Sequence, residues 1–107
     1  MQNVKFGLEQ EQRYRDEFSG VSETLKTQYT NRQIDISRPD ELYAGQLKTG
    51  KMSLTEQAKI DIKKDAWLVK EEYTVEYILE KGASKNFLNA LDKAGIKYKI
   101  GNQLPKY

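Results

Sequence analysis

The chain contains no cysteine and no histidine. Without cysteine there is no disulfide framework, no thiolate zinc site and no thiol redox chemistry. Without histidine, the Ser-His-Asp and Cys-His nucleophile systems, histidine-dependent nucleases and histidine-containing metal sites are excluded. Catalysis is thereby confined to carboxylates, amides, lysine, tyrosine, hydroxyls and a hard, oxygen-liganded cation. Long hydrophobic runs are missing too. No segment approaches the ~18 consecutive apolar residues of a membrane span, and none near the amino terminus resembles a signal. With 107 residues, 37% of them hydrophobic, residues 1–107 fit a single domain around one modest core.

Charge is plentiful but unevenly placed. The formal net charge is only +2, whereas residues 48–64 hold five lysines against Glu56 and Asp61. Residues 81–107 hold six lysines against Asp92 alone, and residues 65–80 between them hold five carboxylates against Lys70. This pattern suits a basic face as well as it suits a solvated lysine surface.

The apolar periodicity gives the order α-β-β-β-α-β-α-β, an α/β domain with a mixed central sheet. Residues 6–19 read as a helix whose buried stripe carries Leu8, Glu11, Arg15 and Phe18, with Tyr14 beside it and Ser19-Gly20 as the stop. Residues 22–30 suit an exposed strand, with Asn31 at the turn. In the next strand, 32–36, Ile34 and Ile36 face one side and Asp35 the other. Pro39-Asp40 marks a turn before a third strand over 41–49. Ser53 and Glu56 have capping-box spacing at the start of a helix reaching about Val69, on which Trp67 serves as a packing anchor. Tyr73 to Glu80 alternates as a strand. Ser84 to Ala94 is an amphipathic helix stopped by Gly95, and Ile96, Tyr98 and Ile100 alternate in a last strand.

One constellation carries chemistry. Gln46 and Lys48 are two apart on a strand and share a face, while Leu47 points into the core. If this strand and the preceding one form a hairpin, Asp35 lies beside that face. An aspartate, a second oxygen ligand and a lysine are the parts of metal-assisted phosphodiester hydrolysis. The oxygens hold a divalent cation, and the lysine orients the attacking water or stabilises charge building on the phosphorane. Asp40 and Glu41 are alternative carboxylates, although Asp40 is close in sequence for a ligand on the adjacent strand.

The order of elements, with Asp35 on the second strand and Gln46-Leu47-Lys48 on the third, resembles the PD-(D/E)XK nuclease core. The local wording is similar to restriction-endonuclease-fold toxin domains at the carboxyl ends of secreted bacterial proteins, including contact-dependent growth inhibition effectors. The segments carrying the likeness are Arg32-Gln33-Ile34-Asp35, Ala44-Gly45-Gln46-Leu47-Lys48-Thr49-Gly50, Ser53-Leu54-Thr55 and Lys64-Asp65-Ala66-Trp67-Leu68. Val75-Glu76-Tyr77 and Leu91-Asp92-Lys93-Ala94-Gly95-Ile96 extend it, so that it spans about Gly7 to Ile100. Gln46 departs from the family, which usually has glutamate or aspartate there. A glutamine carbonyl can still ligate a hard cation, with one negative charge fewer.

The resemblance implies a metal-dependent nuclease toxin that cleaves DNA or RNA, with a slight preference here for DNA over transfer RNA. Glu11, from the first helix, would join Asp35 and Gln46 around Mg²⁺ or Mn²⁺, with Lys48 as the catalytic lysine. Beside the resemblance, Arg32 and Gln57 suit contact with substrate phosphate or orientation of the lysine as well as they suit a plain surface role, and Lys51 suits either phosphate contact or a solvated surface. The domain would travel as part of a larger secreted or surface-delivered effector and act in the cytoplasm of a neighbouring bacterium. A cognate immunity protein would block it in the producing cell. Gln46 leaves open a second reading, a catalytically silent module on the same scaffold that binds nucleic acid or protein.

Overall fold

Five strands and three helices follow the anticipated order in a computed structural model that describes residues 2–105, with side chains from residue 6 onward. The elements are α1 (Gln2–Phe18), β1 (Val21–Lys26), β2 (Asn31–Arg38), β3 (Tyr43–Lys48), α2 (Glu56–Lys70), β4 (Thr74–Leu79), α3 (Lys85–Ala94) and β5 (Lys97–Ile100). The strands lie in sequence order in one sheet. The β1–β2 and β2–β3 pairs are antiparallel, and β3–β4 and β4–β5 are parallel. Antiparallel neighbours need only turns, whereas each parallel pair needs a crossover, supplied by α2 and α3. Among the described residues no helix is long and apolar enough to cross a membrane.

The sheet has a core on each face. On one, Ile34, Ala44, Val75, Tyr77 and Leu79 meet Ala58, Ile62 and Leu68 of α2 and Phe87 and Leu91 of α3. Trp67 packs half-buried against this core, as expected of an anchor. On the other face, Ile36, Tyr43, Leu47 and Ile78 lie under Tyr14 and Phe18 of α1. The alternation read along β4 is therefore the observed one.

Local chemistry sets the ends of the elements. Ser84 caps α3 by accepting the Phe87 N–H at 3.3 Å, and Gly95 closes it with φ 74°, a conformation that side chains with a Cβ resist. The cap of α2 is Thr55 rather than Ser53. Its hydroxyl accepts the Ala58 N–H at 3.1 Å, so the expected capping box does not form. The first hairpin turns earlier than expected, because Thr27 Oγ1 accepts the N–H groups of Tyr29 and Thr30 and ends β1 at Lys26.

Two expectations about faces are overturned. In α1, Leu8 is 59% exposed, while Gln10 at 3% and Tyr14 at 0% make the buried row; Glu11 sits at its margin. In β2, Ile34 and Ile36 do not share a face. Val21 pairs with Ser37 and Glu23 with Ile34, so three steps along β2 match two along β1. The extra residue is a β-bulge at Asp35-Ile36, which sends Ile34 toward α2 and Ile36 toward α1. Gly20 makes the turn from α1 into β1 close against this bulge. A Cβ there would lie 2.7 Å from Ile36 Cγ2.

Candidate active site at the β2 bulge

The bulge ends the β2–β3 ladder at Ile36 and Gly45, and side chains take over the main-chain groups beyond it. Asp35 Oδ2 accepts the Leu47 N–H at 2.9 Å, and Gln46 Nε2 donates to the Gln33 carbonyl at 2.9 Å. A bulge thus parts two strands and leaves a carboxylate and a carboxamide in the opening, as bulges beside functional sites do.

Asp35 is held against its own charge. Burial pushes its carboxyl above the ordinary value of 3.8, and the Leu47 amide, Lys48, Arg32 and Arg15 pull back without cancelling that rise. Glu11 behaves similarly: burial raises it above 4.5, the Asp35 charge raises it further, and Arg15 and Lys48 oppose both. Asp35 and Lys48 both act on Glu11, and Lys48 acts on Asp35, which puts the three in one electrostatic neighbourhood. Arg15 braces the group, pairing with Glu11 at 3.5 Å and donating to the Asp35 carbonyl at 3.1 Å. The Lys48 ammonium stands 6.0 Å from the centre of the Tyr77 ring, half in solvent.

Gln46 is 1% exposed, and no described residue donates to its Oε1. Two carboxylates and an unengaged amide oxygen are donors suited to a hard cation, which would relieve the repulsion between Glu11 and Asp35. They fit such an ion, though less strongly than three carboxylates; among the described residues no set of three His, Cys, Asp or Glu converges. Glutamine also has a structural reason to stand at 46. Gln46→Glu would set a buried carboxylate against the Gln33 carbonyl, at about 1–3 kcal/mol. The expected result in EDTA is a Tm lower by about 5–15 °C, with most of the loss recovered on adding Mn²⁺. An unchanged Tm in EDTA would show that the Gln46–Gln33 bond contributes nothing.

The remaining sequence candidates lie elsewhere. Arg32 is no phosphate ligand: it is buried, and its Nε and Nη2 meet Asp65 at 2.9 and 3.0 Å. Tyr77 also donates to Asp65, and Asp61 lies 3.9 Å from Arg32 Nη1. Gln57 is exposed on the first turn of α2 and donates to Asp61 at 3.0 Å, leaving Lys48 unassisted. Lys51 is exposed in the connection between β3 and α2. An open groove of about 790 Å³, lined in part by Arg38, Tyr43, Glu76 and Lys99, lies at the Tyr43 end of β3, away from Lys48.

Arg15 and Glu80 were missed as site residues. Arg15 had a readable signal, since it stands four residues after Glu11 on one helix. Glu80, whose N–H donates to the Lys48 carbonyl at 3.0 Å, had none, because only parallel pairing brings it to Lys48. Comparison of the chain with protein-family models, curated sequences and solved structures gives no match.

Proposed function

We propose that the chain is a metal-dependent endonuclease domain of the PD-(D/E)XK kind, acting as a toxin on DNA or transfer RNA. One observation carries this reading: Asp35 and Gln46 bond to the main chain where the bulge parts β2 from β3, on the strand end that carries Lys48, and Arg15 ties Glu11 of α1 to Asp35. Glu11, Asp35 and Gln46 would hold Mg²⁺ or Mn²⁺, which supplies a polarised phosphate and an acidified water. Lys48, half-exposed and close enough to Asp35 to favour its charged form, would stabilise the charge that develops on the phosphorane. Lysines of residues 48–64 and 81–107 would attract the nucleic-acid backbone. Delivery within a larger effector, and restraint by an immunity protein, belong to the same proposal and rest on the resemblance in sequence.

A second reading is favoured by the neutral Gln46, which leaves the centre one carboxylate short. On that reading the domain binds nucleic acid or protein without cleaving, and binding is indifferent to divalent metal. Cleavage of plasmid DNA and total transfer RNA in Mg²⁺, Mn²⁺ or EDTA decides between them. Cutting of one substrate, absent in EDTA and about 100-fold slower in Lys48→Ala, is the expected result. Absence of cutting of both, with binding unchanged by EDTA, would replace the nuclease with the binding module.

A further inference from the structure

Glu80 ties α1 to the strand of Lys48, through its carboxylate on one side and its backbone N–H on the other. It lies just past the end of β4, where its N–H donates to the Lys48 carbonyl at 3.0 Å. Its carboxylate accepts Gln10 Nε2 at 3.1 and 3.4 Å and the Tyr14 hydroxyl at 2.7 Å. The same hydroxyl accepts the Gln103 N–H at 2.9 Å, so the segment after β5 closes over this cluster. The cleavage proposal uses none of these bonds.

Their placement on the helix gives them a consequence. Successive helical residues are ~100° apart, so Gln10 and Tyr14 form one row and Glu11 and Arg15 the next. The first row is tied to Glu80. The second carries Glu11 and, through Arg15, the 3.1 Å bond to the Asp35 carbonyl. Among the described side chains, apolar packing does little to fix the rotation of α1 at this level, because Phe6 and Leu8 are exposed and the buried apolar contacts begin at Tyr14. With side-chain tips ~5–6 Å from the axis, a 20° roll moves a carboxylate by about 2 Å. Misplacement of ~1 Å is enough to matter at a reacting centre.

We propose that Glu80 is a positioning residue, which sets the rotation of α1 through Gln10 and Tyr14 and so places Glu11 beside Asp35 and Lys48. The proposal rests on the cation site described above. It predicts that Glu80 acts on the cation only through Glu11.

The test is a Mn²⁺ titration followed by the EPR signal of the free ion. The proteins are the unsubstituted chain, Glu11→Ala, Glu80→Ala, the double variant and Glu80→Gln, with Tm and cleavage measured on each. Glu80→Ala is expected to weaken Mn²⁺ binding about tenfold, and to have no further effect once Glu11 is alanine. Glu80→Gln, which still offers an oxygen to Tyr14, is expected to restore most of the affinity. A purely structural role would lower Tm and leave the Mn²⁺ constant of the folded protein unmoved, which overturns the proposal; so does additivity of the two single effects. Should Glu80→Ala fail to fold, Tyr14→Phe removes only the hydroxyl, and about threefold weaker binding is expected; an unchanged constant would overturn the proposal. A chain that binds no Mn²⁺ overturns it as well. Coupling of Glu80 to Glu11 without cleavage would leave Glu80 in its role and discard the nuclease.

Discussion

Asp35→Asn is expected to make the metal-free protein more stable at neutral pH while lowering cleavage about a thousandfold. The stability gain follows from the direction in which burial moves the carboxyls. Asp35 and Glu11 both lie above their ordinary values of 3.8 and 4.5 in the folded protein. The folded state therefore holds protons that the unfolded chain has already released. The stability these groups lend is complete below the ordinary values and is lost as pH rises through the elevated ones. As pH rises, the unsubstituted, metal-free chain accordingly takes on buried charge that Lys48, Arg32 and Arg15 offset only in part. Asparagine removes that charge, and its Oδ1 can still accept the Leu47 N–H, so Tm should rise by a few degrees at pH 7.5 and by little near pH 3.5. The loss of cleavage follows from the proposed function, in which the cation would have only two charged ligands and the variant removes one of them. Mn²⁺ should raise the Tm of the unsubstituted chain and not that of the variant. A lower Tm for Asp35→Asn at pH 7.5 would mean that the carboxylate stabilises the fold, contrary to this account. The expected trade of stability against activity is common where a site concentrates like charge.

Arg32→Ala is expected to be the most damaging substitution for folding. Arg32 and Asp65 form a two-point ion pair in the core between β2 and α2, with the Tyr77 hydroxyl of β4 as a further donor. Alanine would strand the fully buried Asp65 carboxylate with that single donor. Breaking one side of a buried pair costs about 3–5 kcal/mol. A chain of this length is stable by only ~5–15 kcal/mol, so a Tm loss of about 15–30 °C is expected, or no folded protein at all. Arg32→Ala combined with Asp65→Ala should lose much less than the two single losses together, because neither charge is then left alone. The phosphate-binding role suggested by sequence makes the opposite prediction, weaker nucleic-acid binding with a normal Tm. Thermal melts of the three variants separate the two.

That contrast marks how far the chain could be read without its fold. Element order and most boundaries were legible because they are local: 3.6-residue and two-residue periodicities, Gly95 as a stop, Ser84 as a cap. The pairing of Gln46 with Lys48 across Leu47 was legible for the same reason, since alternation along a single strand needs no partner. Arg32 was not. Its partner Asp65 lies 33 residues away on a helix, and nothing within either segment signals the other.

The sequence by itself determined an α/β domain of this element order, and the placing of an amide and a lysine on one face of the third strand. Tertiary structure alone decided where β2 bulges, and with it that Ile34 and Ile36 part and that Asp35 reaches the Leu47 amide. It also decided which row of α1 faces the sheet. Periodicity favoured the apolar Leu8 for the interior, yet the sheet offers the Glu80 carboxylate at that level, and Gln10 and Tyr14 can bond to it. The physical reason is common to both cases. Period and caps are properties of neighbouring residues, whereas register and helix rotation are settled by groups that become neighbours only on folding.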